Sequence, residues 1–182
     1  MLVLSGCGGA VEKDINDNGE ASPEIEKGLF DVTITMPGSM VETGDFETTI
    51  EEARKGGINS VVLNDDGSIT YKMSRAVHKT IMQEMRESFN EMIDDLKTDS
   101  ESIKDVKYNK KLSVVTLTVE REIFENSFDG FSIFGLGIGA MYYQLFDGVK
   151  ADDIAVSIDI VDASTGEVFN TVVYPDDLES LD

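Results

Sequence analysis

Between Ser74 and Leu96 apolar residues return every three or four positions, at Val77, Ile81, Met85, Phe89, Met92, Ile93 and Leu96. No other feature constrains the fold as much. The spacing predicts a long helix over 74–96 with Ser74 at its cap, where a hydroxyl can accept an amide proton of the first turn. A helix with one apolar face draws most of its stability from whatever covers that face. The rest of the chain therefore has to supply an apolar surface, and its β-patterned runs are suited to do so. Phe30, Val32, Ile34 and Met36 alternate with Asp31, Thr33 and Thr35, the pattern of a half-buried strand. Thr48 and Glu51 have capping-box spacing ahead of a short helix that the Gly56-Gly57 pair would stop.

Three hairpins are predicted in the same way. Runs 58–63 and 69–73 flank Asn64, Asp65, Asp66 and Gly67; runs 103–108 and 112–119 are joined through Asn109, Lys110 and Lys111; runs 154–161 and 168–174 flank a turn at 163–166. Hairpins pair antiparallel, so the expectation is an α+β fold: an antiparallel sheet built from hairpins with helices packed on one face, ordered as a strand and three helix-hairpin units. One domain is expected over 29–175, the length of 182 residues being ordinary for a single core. Residues 176–182 read as an acidic tail. With 36 acidic against 15 basic residues the net charge is −21, which disfavours nucleic acid and repels anionic lipid.

The chain has one cysteine, Cys7, so packing alone must hold the fold. No apolar run reaches the roughly 18–20 residues of a membrane-spanning helix. Leu4, Ser5, Gly6 and Cys7 resemble the lipobox of bacterial lipoprotein precursors. The resemblance implies a diacylglycerol on the Cys7 sulfur, cleavage between Gly6 and Cys7, and display on the outer face of a cell membrane. A lipobox follows a basic segment and an apolar stretch, so residues 1–7 are expected to be the remnant of a signal whose start lies upstream. Residues 8–28, rich in Gly, Asp, Asn, Glu and Ser, read as a flexible acidic tether with a reach of roughly 25 Å. The segments around Asp65-Asp66-Gly67, 73–78, Tyr142-Tyr143-Gln144 and 173–177 are similar to small lipoproteins of Gram-positive bacteria. That resemblance implies a location and no activity.

Candidate sites are few. Asp14, Asn16, Asn18 and Gly19 begin a calcium loop, but its twelfth position falls on Ile25 between Glu24 and Glu26, where a bidentate carboxylate is needed. His78, the one histidine, excludes multi-histidine metal sites and most histidine-based triads; it reads as a packed helix residue with its polar edge toward solvent. Met82, Met85 and Met92 suit core filling better than a peptide groove. Gly135, Gly137 and Ala140 loosely match a dinucleotide-binding pattern, but the expected hairpin context lacks the parallel strand-helix-strand unit such a site needs. Lys104, Lys107, Lys110 and Lys111 read as protection of a hairpin or sheet edge.

The remaining feature is aromatic. Half of the chain's 9 Phe and 5 Tyr fall between Phe124 and Phe146. Residues 131–146 are predicted to form a buried helix with Leu136, Ala140, Tyr143 and Phe146 on its inner stripe, and Gly135 and Gly139 permitting close approach. The competing reading leaves part of the segment exposed, with Phe131, Phe134, Tyr142 and Tyr143 gripping a partner. No catalytic residue, metal ligand or cofactor follows from the sequence. The function expected is a non-enzymatic module that binds a protein, peptide or envelope component. The alternatives are an envelope hydrolase using paired carboxylates and a structural lipoprotein that self-associates.

Overall fold

A computed structural model describes residues 31–40 and 46–179. Cys7, the tether and the incomplete calcium loop lie outside the described residues. The elements run β1 (Asp31–Met36), α1 (Phe46–Lys55), β2 (Ser60–Leu63), β3 (Ile69–Ser74), α2 (Arg75–Asp99), β4 (Ile103–Tyr108), β5 (Val114–Val119), α3 (Arg121–Glu125), α4 (Phe131–Asp147), β6 (Val156–Asp162), β7 (Val168–Tyr174) and α5 (Asp176–Glu179). The fold is α+β.

The long stripe forms the helix its spacing predicts. Ser74 caps α2, its hydroxyl accepting from the Val77 amide at 3.2 Å. Phe89 and Ile93 are buried, and Val77, Ile81, Met82, Met85, Met92 and Leu96 pack half-buried against the core. The surface they cover differs from the single antiparallel sheet expected. There are two sheets, ordered β1-β3-β2 and β4-β5-β6-β7, and β5 pairs with β6 in parallel, from Val114 opposite Ser157 to Val119 opposite Asp162. Parallel neighbours need a crossover, and α3 and α4 lie on it. Each sheet still buries one face: Val32, Ile34, Met36, Ile69, Tyr71 and Met73 in the first, and Val115, Leu117, Val119, Val156, Ile158 and Ile160 in the second. Helix α2 packs on β1, β3 and β4, and α4 on β1, β6 and β7, so the two helices join the sheets.

Two of the turns place a residue in the left-handed region, one at a glycine and one at a leucine. Gly67, at φ 82°, closes the β2-β3 turn, where the Asp66 carboxylate accepts from the Ser68 amide at 3.0 Å and hydroxyl at 2.6 Å. Leu112, expected as the first residue of a strand, instead sits in the left-handed region at φ 52° with its side chain fully buried. Such a conformation costs a branched residue energy that its surroundings must offset. The buried Gln144 amide contributes here, donating to the Leu112 carbonyl at 3.2 Å and the Ala155 carbonyl at 3.0 Å.

Helix α4 is buried along Ile133, Leu136, Gly137, Ala140, Met141, Tyr143, Gln144 and Leu145, and Gly148 ends it at φ 99°. A Cβ added at Gly139 would meet Phe89 of α2 at 3.3 Å, whereas at Gly135 it would meet Met92 at an ordinary 3.7 Å. The tightest glycine is Gly137, where a Cβ would lie 2.5 Å from the Tyr174 ring of β7. The parallel β5-α4-β6 unit that the sequence reading excluded is present. Its glycines lie inside the helix and not at its phosphate-facing start, so the dinucleotide pattern still has no site. Residues 176–179, expected as part of an acidic tail, form the short α5, whose Asp177 carboxylate accepts from the Val173 amide at 2.6 Å.

Leu136→Ala is expected to lower unfolding free energy by about 2–5 kcal/mol, since its side chain is wholly enclosed. Gly137→Ala is expected to cost about 1–3 kcal/mol by overpacking against Tyr174, although alanine is the better helix former. Chemical denaturation of the two variants and of Gly135→Ala checks this, the last remaining at or above the stability of the parent.

Candidate functional site

The aromatic segment divides between core and surface. Phe124 is buried, and α3 then stops at Asn126, whose amide bonds back to Ile123 at 3.1 Å. The loop that follows is tied down through Asp129. Its carboxylate accepts from the Ser100 hydroxyl at 2.6 Å and the Ser102 hydroxyl at 2.5 Å, and its amide donates to the Ser127 hydroxyl at 3.2 Å. Donation from Ser100 and then Ser102 holds the Asp129 carboxyl below its ordinary range. Ser102 is wholly buried, so this aspartate joins the loop before α4 to the loop before β4.

Held this way, the loop presents Phe128 to solvent with 86% of its surface exposed. One turn later Phe131 is 76% exposed and Phe134 50% exposed, at the i, i+3 spacing that shares one helix face. The Phe128 and Phe131 rings stack with centroids 6.3 Å apart. Across from them, Val172 and Tyr174 of β7 form the other wall of a groove of about 840 Å³. Clustered exposed aromatics beside a concave surface, unlike a single exposed leucine, call for an explanation.

The floor depends on Gly137, over which the Tyr174 ring lies. Asp177 is the ionisable carboxylate on the rim, and no lysine or arginine lines the groove among the described residues. The Tyr174 phenol is pushed up, by burial first and then by the charge of Asp177. β7 is an edge strand, yet its amides at Thr171 and Val173 already donate to Asn170 at 2.9 Å and Asp177 at 2.6 Å. That local capping blunts the edge as a template for strand pairing.

The four aromatics proposed as partner contacts separate. Phe131 and Phe134 line the groove. Tyr142 is half-buried on another face of α4, its hydroxyl donating to the Met40 carbonyl at 2.7 Å. Tyr143 is buried under the Arg86 guanidinium, 4.7 Å above its ring, and Arg86 also donates to the Tyr143 hydroxyl. Sequence reasoning missed Phe128, Val172, Tyr174 and Asp177. Phe128 had a visible signal, as a large apolar residue within a polar turn, Asn126-Ser127 to Asp129-Gly130.

Other candidates take structural places. The His78 Nε2–H donates to the Phe146 carbonyl at 2.8 Å, joining the start of α2 to the end of α4 from a half-buried position. Met85 and Met92 pack against the core and also border a cleft of about 390 Å³ with Gly135, Gly139 and Tyr142. Glu91, Asp95, Asp99 and Asp129 line a shallow cleft of about 420 Å³. Among the described residues no group of three or more His, Cys, Asp or Glu could hold a metal ion. Asp66, Asp105, Asp129 and Asp162 are all shifted down by donors close to them, opposite to the shift a general acid needs at neutral pH.

Asp129→Ala is expected to cost about 1–3 kcal/mol, because the buried Ser102 hydroxyl loses its charged acceptor. The native carboxyl is lowered, so its contribution is present above the ordinary carboxylate range and is lost as pH falls through the lowered value. Denaturation of both proteins from neutral to strongly acidic pH should show the gap between them closing at the acidic end. No family model, curated protein or solved structure matches the chain.

Proposed function

We propose that the chain is a lipid-anchored binding module on the outer face of a cell membrane, and that the groove between α4 and β7 holds an apolar part of a protein or peptide partner. The observation that carries the binding half is the exposure of Phe128, Phe131 and Phe134 around one concavity. Full burial of a phenylalanine is worth roughly 1.5–3 kcal/mol; these rings forgo a share of that in proportion to their exposure, most at Phe128 and least at Phe134, and covering them on binding recovers part of it. Aromatic side chains offer a large contact area at small cost in rotamer freedom, which is why they concentrate at binding hot spots.

The anchoring half rests on Leu4-Ser5-Gly6-Cys7 and the polar segment behind it. Among the described residues no helix is long and apolar enough to cross a membrane, so on this reading attachment comes through Cys7. A single acyl chain binds membranes only marginally, whereas the diacylglycerol of a lipoprotein supplies two chains.

Two experiments test the halves separately. A photo-crosslinking residue at position 131 should yield an adduct on the cell surface, and the same residue at the exposed Leu63 of β2 should not; equal yields at both would reject the groove. Phe131→Ala should change unfolding free energy by less than about 0.5 kcal/mol, so loss of the adduct in that variant, with the crosslinking residue moved to position 134, reports binding and not folding. For the anchor, Cys7→Ala in a precursor with a complete signal should move the protein from the membrane pellet to the soluble fraction.

A further inference from the structure

The charge pattern around the groove selects among possible occupants. The chain carries a net charge of −21, the groove rim offers Asp177, and no lysine or arginine lines the groove among the described residues. A second copy would bring its own Asp177 and a net charge of the same sign toward the seam, which opposes close approach to the extent that salt does not screen it. An anionic lipid surface is repelled for the same reason.

The backbone edge of β7 narrows the choice further. Its Thr171 and Val173 amides are bonded to Asn170 and Asp177, so a peptide that added as another strand would first have to displace them. Recognition through side chains does not carry that cost. The groove pairs a cluster of phenylalanine rings with one carboxylate beside them, which is the complement of an apolar side chain next to a cation. Aromatic rings also attract cations through their faces, and the protein already does this internally, with Arg121 held 4.5 Å from the Phe169 ring on the same strand.

Building on the proposed groove, we infer that its occupant is a cationic segment of a protein partner. An apolar side chain of that segment seats among Phe128, Phe131 and Phe134, and an adjacent lysine or arginine meets Asp177. The field of the whole chain would speed the encounter of such a partner, while the phenylalanines would set how long it stays.

A labelled peptide alternating leucine and lysine, with counterparts carrying glutamine or glutamate in place of lysine, tests this by fluorescence anisotropy on the full chain at two salt concentrations. The lysine peptide should bind most tightly and the glutamate peptide least. Phe131→Ala should weaken the lysine peptide by about tenfold. Asp177→Asn, which keeps an acceptor for the Val173 amide, should weaken it by about threefold and flatten its salt dependence. Equal binding of the lysine and glutamine peptides, with both lost in Phe131→Ala, would overturn the cationic assignment and leave the groove standing. Binding that ignores Phe131→Ala would overturn both, since it would report only the overall charge. Phe131-dependent association with phosphatidylcholine vesicles, or Phe131-dependent dimerisation in sedimentation, without peptide binding would assign the groove to lipid or to a second copy and overturn the inference.

Discussion

Helices α2 and α4 can lie against one another because Gly139 leaves room for the Phe89 ring, whose edge meets Tyr108 of β4 at 5.3 Å between centroids. Around this contact Arg86 joins three elements: it lies over Tyr143 of α4 and Tyr108 of β4, and it donates to the Lys110 carbonyl of the hairpin turn at 2.8 Å. His78 closes the same seam at the far end of α4. Since α2 and α4 each pack on strands of both sheets, the helix pair couples two sheets that would otherwise have little to share. The rest of the core is arranged around that pair.

The parallel β5-β6 pairing follows from the same arrangement. Helix α4 has to return from β5 across the second sheet to reach β6, which places its N-terminal end beside β7. There the sheet face is not fully covered. Phe131 and Phe134 fall off the buried stripe of Ile133, Leu136 and Ala140 and look out over the exposed part. The groove is thus the place where a helix does not reach the edge of its sheet, walled by the loop that Asp129 holds.

Elements whose pattern is internal were legible in the sequence. The α2 stripe, the Ser74 cap, the Asp66-Gly67 turn and the extent of β7 all depend on periodicity or on side chains bonding to their own turn. Pairing between distant strands was not legible, because alternating residues in β5 and β6 look the same whether the neighbour runs parallel or antiparallel. The site was half legible. Phe131 and Phe134 lie outside the buried stripe and could be picked out by helix phase, whereas Tyr142 and Tyr143 are adjacent and cannot share one helix face. Asp177 could not be placed, since its position depends on α5 folding back along β7.

The contact of Gly137 with Tyr174 reaches beyond this one chain. The ring fills the space that any other side chain at 137 would need, so the two positions constrain each other over evolutionary time. A descendant that replaced the glycine could retain the groove floor only with a smaller residue at 174, and one that enlarged 174 further would have to shift α4 along the sheet. Paired change at these two sites is the trace this packing should leave among diverging sequences.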